Sequence, residues 1–193
     1  MFLLVATLAL QSADSIVFRV SPESRFEVKT GKAGLLGFAG HDHVIRAHGF
    51  TGRVVYRPSA PSTSTVEIVV PTERLEVLTP PDTEEIRKVT QDMRTKVLEV
   101  DRYPEIRLVS RSMELNGDRL HLVAALTMHG VTRDVLLEVH IAMTSDTLRG
   151  TTTFSVKQSD FGIRRASGGP AGTVRVADRV TFDITAVAIR AES

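Results

Sequence analysis

The strongest constraint on this chain is an alternation of apolar and polar residues with period two, recurring from Ser15 almost to the C-terminus. Successive side chains of a strand point to opposite faces, so this period marks strands with one dry face. Ile16, Phe18 and Val20 share a face, and Phe26 and Val28 follow the turn-like Ser21-Pro22-Glu23-Ser24. Phe50, Val54 and Tyr56 continue the series, as do Val66, Ile68 and Val70, with Gly49 and Gly52 admitting a bend or bulge. Ile106 and Leu108 come next, followed by the run Leu120, Leu122, Ala124, Leu126 and Met128. Val135, Leu137, Val139, Ile141 and Met143 alternate, then Thr152, Phe154 and Val156, and last Val180, Phe182, Ile184, Ala186 and Ala188. Pro58, Pro61 and Pro71 fall where connections or edges tolerate them. About eight closely spaced strands predict an all-β domain, an antiparallel barrel or a sandwich.

One segment breaks the rhythm. From Pro81 to Leu98 the apolar residues Ile86, Val89, Met93 and Val97 recur at steps of three and four, as on an amphipathic helix. Asp82, Thr83, Glu84 and Glu85 suit its N-terminus, where carboxylates oppose the helix dipole. A lone helix between strands predicts a lid or plug over one end or flank of the barrel. The apolar run Phe2 to Leu10 is shorter than the ~20 residues of a spanning helix and has the length of an export signal, although no Lys or Arg precedes it. Residues 1–13 therefore read as a signal peptide and 14–193 as one domain.

Composition removes several functions. Lys and Arg number 24 against 23 Asp and Glu, a net charge of +1, and acidic residues interrupt the Arg-rich stretches. Nucleic acid is accordingly no expected partner. Without cysteine there is neither thiol catalysis nor a thiolate metal site. Eight Phe, two Tyr and no Trp argue against a surface of large stacking rings.

A hollow interior would be lined from the inward faces. The candidates are Phe18, Phe26, Val28, Phe50, Val54 and Ile68 in the first half of the chain. Leu108, Leu122, Leu126, Val139, Ile141, Phe154, Val156, Phe182 and Ile184 follow in the second, with Phe161 closing a wall beside the turn-former Asp160. Large rings alternate here with Val, Ala, Gly and Thr, which admits a bore; a solid core needs the same alternation, and both readings stand at this point.

His41-Asp42-His43 is the densest polar cluster. Histidines at i and i+2 on a strand share a face, so His41 and His43 could bind a metal with His48 as third ligand, which would suit a metal-dependent hydrolase. In the structural alternative, Asp42 accepts hydrogen bonds from backbone amides and histidine and shapes the barrel's mouth. His129 precedes a turn glycine, Gly130, while His121 and His140 fall on polar faces. Arg46, Arg53 and Arg164, with His43, are candidate contacts for the polar head of a bound amphiphile, or else solvated surface groups. No Gly-x-Ser-x-Gly nucleophile elbow and no phosphate-binding loop occur, and no cofactor is expected.

Four blocks give these observations a common frame: Leu98–Ser110 (LEVDRYPEIRLVS), Leu126–Val139 (LTMHGVTRDVLLEV), Gly150–Ile163 (GTTTFSVKQSDFGI) and Val176–Ile184 (VADRVTFDI). In this order, directly after the predicted helix, they resemble the YceI-like polyisoprenoid-binding family. Gly40-His41-Asp42-His43 is similar to a form seen in part of that family. The resemblance implies a lipocalin-like antiparallel barrel, exported to the bacterial periplasm or beyond, whose apolar tunnel holds a long isoprenoid chain, and it implies no catalytic residue. Burying ten methylene-like carbons would contribute on the order of 8 kcal/mol, so tail burial alone could sustain binding. Three expectations follow: non-enzymatic carriage of an isoprenoid or similar amphiphilic lipid, the hydrolase at His41-Asp42-His43, or a structural envelope protein with a filled core. Contact with a membrane surface, with envelope proteins or with a second copy in a homodimer is compatible with the first and third.

Overall fold

The computed structural model describes residues 15–33, 43–79, 83–165, 167–168 and 174–192. The expected signal segment, His41 and Asp42 lie outside them. The strands are β1 (Ile16–Val20), β2 (Arg25–Ala33), β3 (His43–Ala47), β4 (Thr51–Tyr56), β5 (Thr65–Pro71) and β6 (Leu75–Val77). After the helix α1 (Thr83–Asp92) come β7 (Glu105–Asn116), β8 (Arg119–Met128), β9 (Val131–Met143) and β10 (Thr147–Lys157). The short β11 (Ser167–Gly168) and the long β12 (Val174–Arg190) complete the sheet.

All pairings are antiparallel, in the order β1-β4-β5-β7-β8-β9-β10-β12-β2-β3-β6. The additional pairing of β1 with β12, Phe18 opposite Arg190, closes a barrel rather than leaving two stacked sheets. β1 and β2 both run antiparallel to β12, β3 and β4 continue one another beside them, and β5 and β6 do the same. Each pair is one stave with a break in it, so the closed wall has eight staves. The breaks fall where the sequence carries turn residues. At the first, Ser24 Oγ donates to the Val187 carbonyl (3.0 Å) and accepts from the Val187 N–H (2.9 Å), replacing ladder bonds that the Ser21–Ser24 turn removes. At the other two, the His48 N–H donates to the Arg74 carbonyl at 2.9 Å, stitching one break to the next.

The free edge of β6 is covered by the helical segment. Thr90 Oγ1 accepts the Val77 N–H at 3.1 Å, and Arg94 Nε donates to the Leu75 carbonyl at 3.0 Å. The helix continues past Asp92 into one wide turn, Met93–Val97. Met93 is buried with Phe26, Leu75 and Val77, and Val97 and Leu98 pack against Leu126, Met128, Phe161 and Ile163. The amphipathic pattern thus places a plug over one end of the barrel, as the sequence predicts. No helix among the described residues is long and apolar enough to cross a membrane.

Candidate functional site

The inward faces do not fill the barrel. They enclose a cavity of about 190 Å³ running along the bore, from Leu148, Ala188 and Leu120 toward Val28, Ile45 and Leu75 near the helix. An apolar void of about 150 Å³ stays dry and admits benzene-sized guests, so this space favours an apolar occupant over water. A filled core, as one of the three expectations required, is not what the interior contains.

Twelve of the expected lining residues border the cavity: Phe26, Val28, Val54, Ile68, Leu108, Leu122, Leu126, Val139, Ile141, Phe154, Phe182 and Ile184. Phe18, Phe50, Val156 and Phe161 do not. Phe18, 1% exposed, is packed beyond Val20 at the end away from the helix. Phe50 precedes β4 and packs its ring on Phe26, with centroids 4.6 Å apart. Phe161 lies in a short 3-10 turn, Gln158–Phe161, and with Val156 joins the cluster of Met128, Ile163 and Val180 that closes the helix end. Ile45, Ala47, Leu75 and Leu148 line the cavity without having been singled out. For Ile45 and Ala47 the signal was the alternation in HVIRA, masked by the neighbouring histidines.

The lining carries little polarity. Thr152 borders the cavity, but its hydroxyl donates to the Glu138 carbonyl at 2.7 Å. Glu27 and Arg149 touch the margin from strand positions whose neighbours point inward. The Glu27 carboxylate accepts from Arg46 Nε at 2.9 Å.

None of the four expected head-group contacts borders the cavity. Arg46 is committed to Glu27; Arg53 stands on the outer face of β4, opposite Arg19 and Glu67; Arg164 is exposed beyond the 3-10 turn. His43 Nδ1 lies 2.7 Å from the Thr79 carbonyl, which can only accept, so Nδ1 carries the proton. His48 Nε2 meets Glu76 Oε2 at 2.9 Å. His43 and His48 are therefore engaged with different partners, and His41, the remaining member of the expected set, lies outside the described residues. Among the described residues no three His, Asp or Glu side chains gather to hold a metal.

The motif blocks meet at the helix end in a knot. Glu99 and His129 both adopt left-handed backbone conformations, with φ of 47° and 50°. The Tyr103 and His129 rings pack with centroids 4.1 Å apart, and His129 Nε2 faces Glu99 Oε1 at 3.4 Å. Gly130, with φ of 73°, completes with His129 the two-residue turn joining β8 to β9, in which both central residues need positive φ. Tyr103 covers that glycine closely. This knot anchors the segment after the helix to the β8–β9 hairpin. Three aspartates outside the bore have carboxyls held below the usual range. Asp146 does so through hydroxyls of Thr144 and Thr147, Asp178 through the Ser159 hydroxyl, and Asp183 through the Lys29 ammonium.

A closed eight-staved antiparallel barrel, plugged by a helix and hollow along an apolar bore, defines a small-molecule-binding barrel by its form. The family described as YceI-like domain matches residues 18–188, and the chain belongs to that family. The fold is shared with BcnA of Burkholderia cenocepacia, at a TM-score of 0.69, 16% identity and coverage of 87% of this chain and 98% of that one. It is shared too with a polyisoprenoid binding domain from Saccharophagus degradans implicated in plant cell wall breakdown, at 0.67, 11%, 91% and 98%. The YCEI protein of Campylobacter jejuni aligns at 0.60 and 14% identity, covering 77% of this chain and 85% of its own. A search of curated proteins gives no match.

Proposed function

We propose that this chain binds a long-chain isoprenoid or a similar amphiphilic lipid inside its barrel, and carries or stores it without changing it chemically. One observation carries the reading: the continuous apolar cavity among the inward residues of all eight staves. The family supports a lipid as occupant, and one structural neighbour is described as polyisoprenoid binding. Binding would draw on removal of tail surface from water at about 25 cal/mol per Å², a force that needs shape and dryness but no charged partner. The head group would then remain at an end of the bore, and the surface arginines, engaged or remote, would contribute little. We assign the activity to the bacterial periplasm or the secreted fraction, following the apolar N-terminal run and the family.

The test is mass spectrometry of an organic extract of the protein purified from its own host. A long-chain lipid in stoichiometric amount is the expected result. A clean extract from folded protein, together with failure to take up any isoprenoid alcohol in vitro, would overturn the reading.

A further inference from the structure

The wall of the barrel is not equally sewn on all sides. β8 and β9 share ten residue pairs, and β10 and β12 share eleven. Between β9 and β10 only four pairs form, from Leu148 opposite Met143 to Thr151 opposite His140. Just beyond the last of them, Thr152 Oγ1 takes the Glu138 carbonyl in place of a backbone donor. Above that point the two strands run on, β9 from 131 to 138 and β10 from 153 to 157, with no register between them. Backbone groups alternate sides along a strand. Because the Glu138 carbonyl points toward β10, those of Leu136 and Asp134 point the same way and find no strand partner among the described residues.

The chemistry of this seam suits an apolar chain. Its inner side presents Val139 and Phe154, which border the cavity, and Val135 and Val156. All the inward residues of β10 are only half-buried, whereas those of β8 are buried throughout. On the outer side Leu136 is 81% exposed. At the top, Arg133 Nε donates to the Asp160 carbonyl at 3.2 Å and ties β9 to the 3-10 turn, while the helix end of the bore is closed by buried Met128, Phe161 and Ile163.

We infer that the β9–β10 seam is a side opening through which the apolar chain of the ligand enters and leaves the cavity, with Phe154 as its inner leaf. The inference rests on the proposed lipid binding and adds the route to it. Phe154 stacks on Phe182 of β12, centroids 4.7 Å apart and planes within 5°, so the leaf is held by a ring contact to the neighbouring stave and not by a bond across the seam.

Two measurements decide it, with all-trans-retinol as the probe. Amide hydrogen exchange on the unmodified chain should show the seam-facing amides of Asp134, Leu136, Glu138, Thr153, Ser155 and Lys157, which alternate with amides paired to β8 or β12, exchanging at least tenfold faster than the centre of β8. In the cysteine-free background, the double variant Leu136→Cys/Ser155→Cys should take up retinol at least tenfold more slowly when oxidised than when reduced, with the bound amount at saturation unchanged. Seam amides as protected as those of β8, or uptake rates within twofold of one another, would overturn the inference while leaving lipid binding intact. If retinol does not bind the unmodified chain, the lipid reading stands or falls on the host extract and the other isoprenoid alcohols, and the exchange measurement decides the seam alone. If the double variant does not fold or does not oxidise, the exchange measurement decides alone.

Discussion

Thr90 stands one helical segment away from Val77 in sequence, yet its hydroxyl oxygen accepts the Val77 backbone N–H at 3.1 Å, where the next strand of the barrel would otherwise be. Both residues are buried, at 6% and 1% exposure, so the bond is hidden from water. Replacing Thr90 with Val keeps the volume and removes the acceptor. The unpaired amide should cost about 1–3 kcal/mol, read as a lower urea midpoint at unchanged slope, and Thr90→Ser should restore most of it.

Ala186 lines the cavity opposite Gly150, the narrowest pair of side chains in the wall. Ala186→Phe should project a ring into the bore. Overpacking of this kind costs about 1–3 kcal/mol. Retinol uptake by the folded variant should fall at least tenfold, measured as fluorescence at saturation.

Gly117 and Gly130 both sit in left-handed turns, with φ of 64° and 73°, but only Gly130 is covered. A Cβ there would lie 2.7 Å from the Tyr103 ring, while at Gly117 nothing lies within 4 Å. Gly130→Ala should therefore destabilise by more than Gly117→Ala, whose cost of about 1 kcal/mol is backbone strain alone. In the Tyr103→Leu background the excess should shrink, and thermal melts of the four proteins would measure it.

Asp146 and Asp178 are held below the usual carboxylate range by hydroxyl donors, Asp183 chiefly by the Lys29 ammonium. A depressed folded pKa contributes stability that is present above the unfolded value, about 4, and is lost as pH falls through the folded one. Stability should be level near neutrality with respect to these groups and decline below about pH 4. Asp178→Asn should make that decline shallower in acid titrations followed by circular dichroism.

The architecture was legible where side chains obey a local period. Leu120 to Met128 carries an apolar residue at every even position and forms β8 with each of them buried. The helix was readable from Ile86, Val89, Met93 and Val97, though its last turn widens to bring Val97 over the barrel end. The site was legible in part, since inward alternation names the face but not the height along the bore. Phe18 and Val54 are directly opposite one another on the same face, yet only Val54 reaches the cavity. Phe161 closes the helix end from the 3-10 turn that Asp160 announces, and its height above the cavity is not written in the local pattern. The engagement of Arg46 rests on Glu27, nineteen residues away, and no local pattern announces such a partner. His129 carried a motif whose turn was readable from Gly130, but the left-handed backbone of the histidine and its ring contact with Tyr103 are tertiary facts.

The three interrupted staves lie side by side, bridged at their breaks by Ser24 with Val187 and by His48 with Arg74. One flank of the wall is thus assembled from six shorter strands, while β7, β8 and β9 run unbroken through the facing panel.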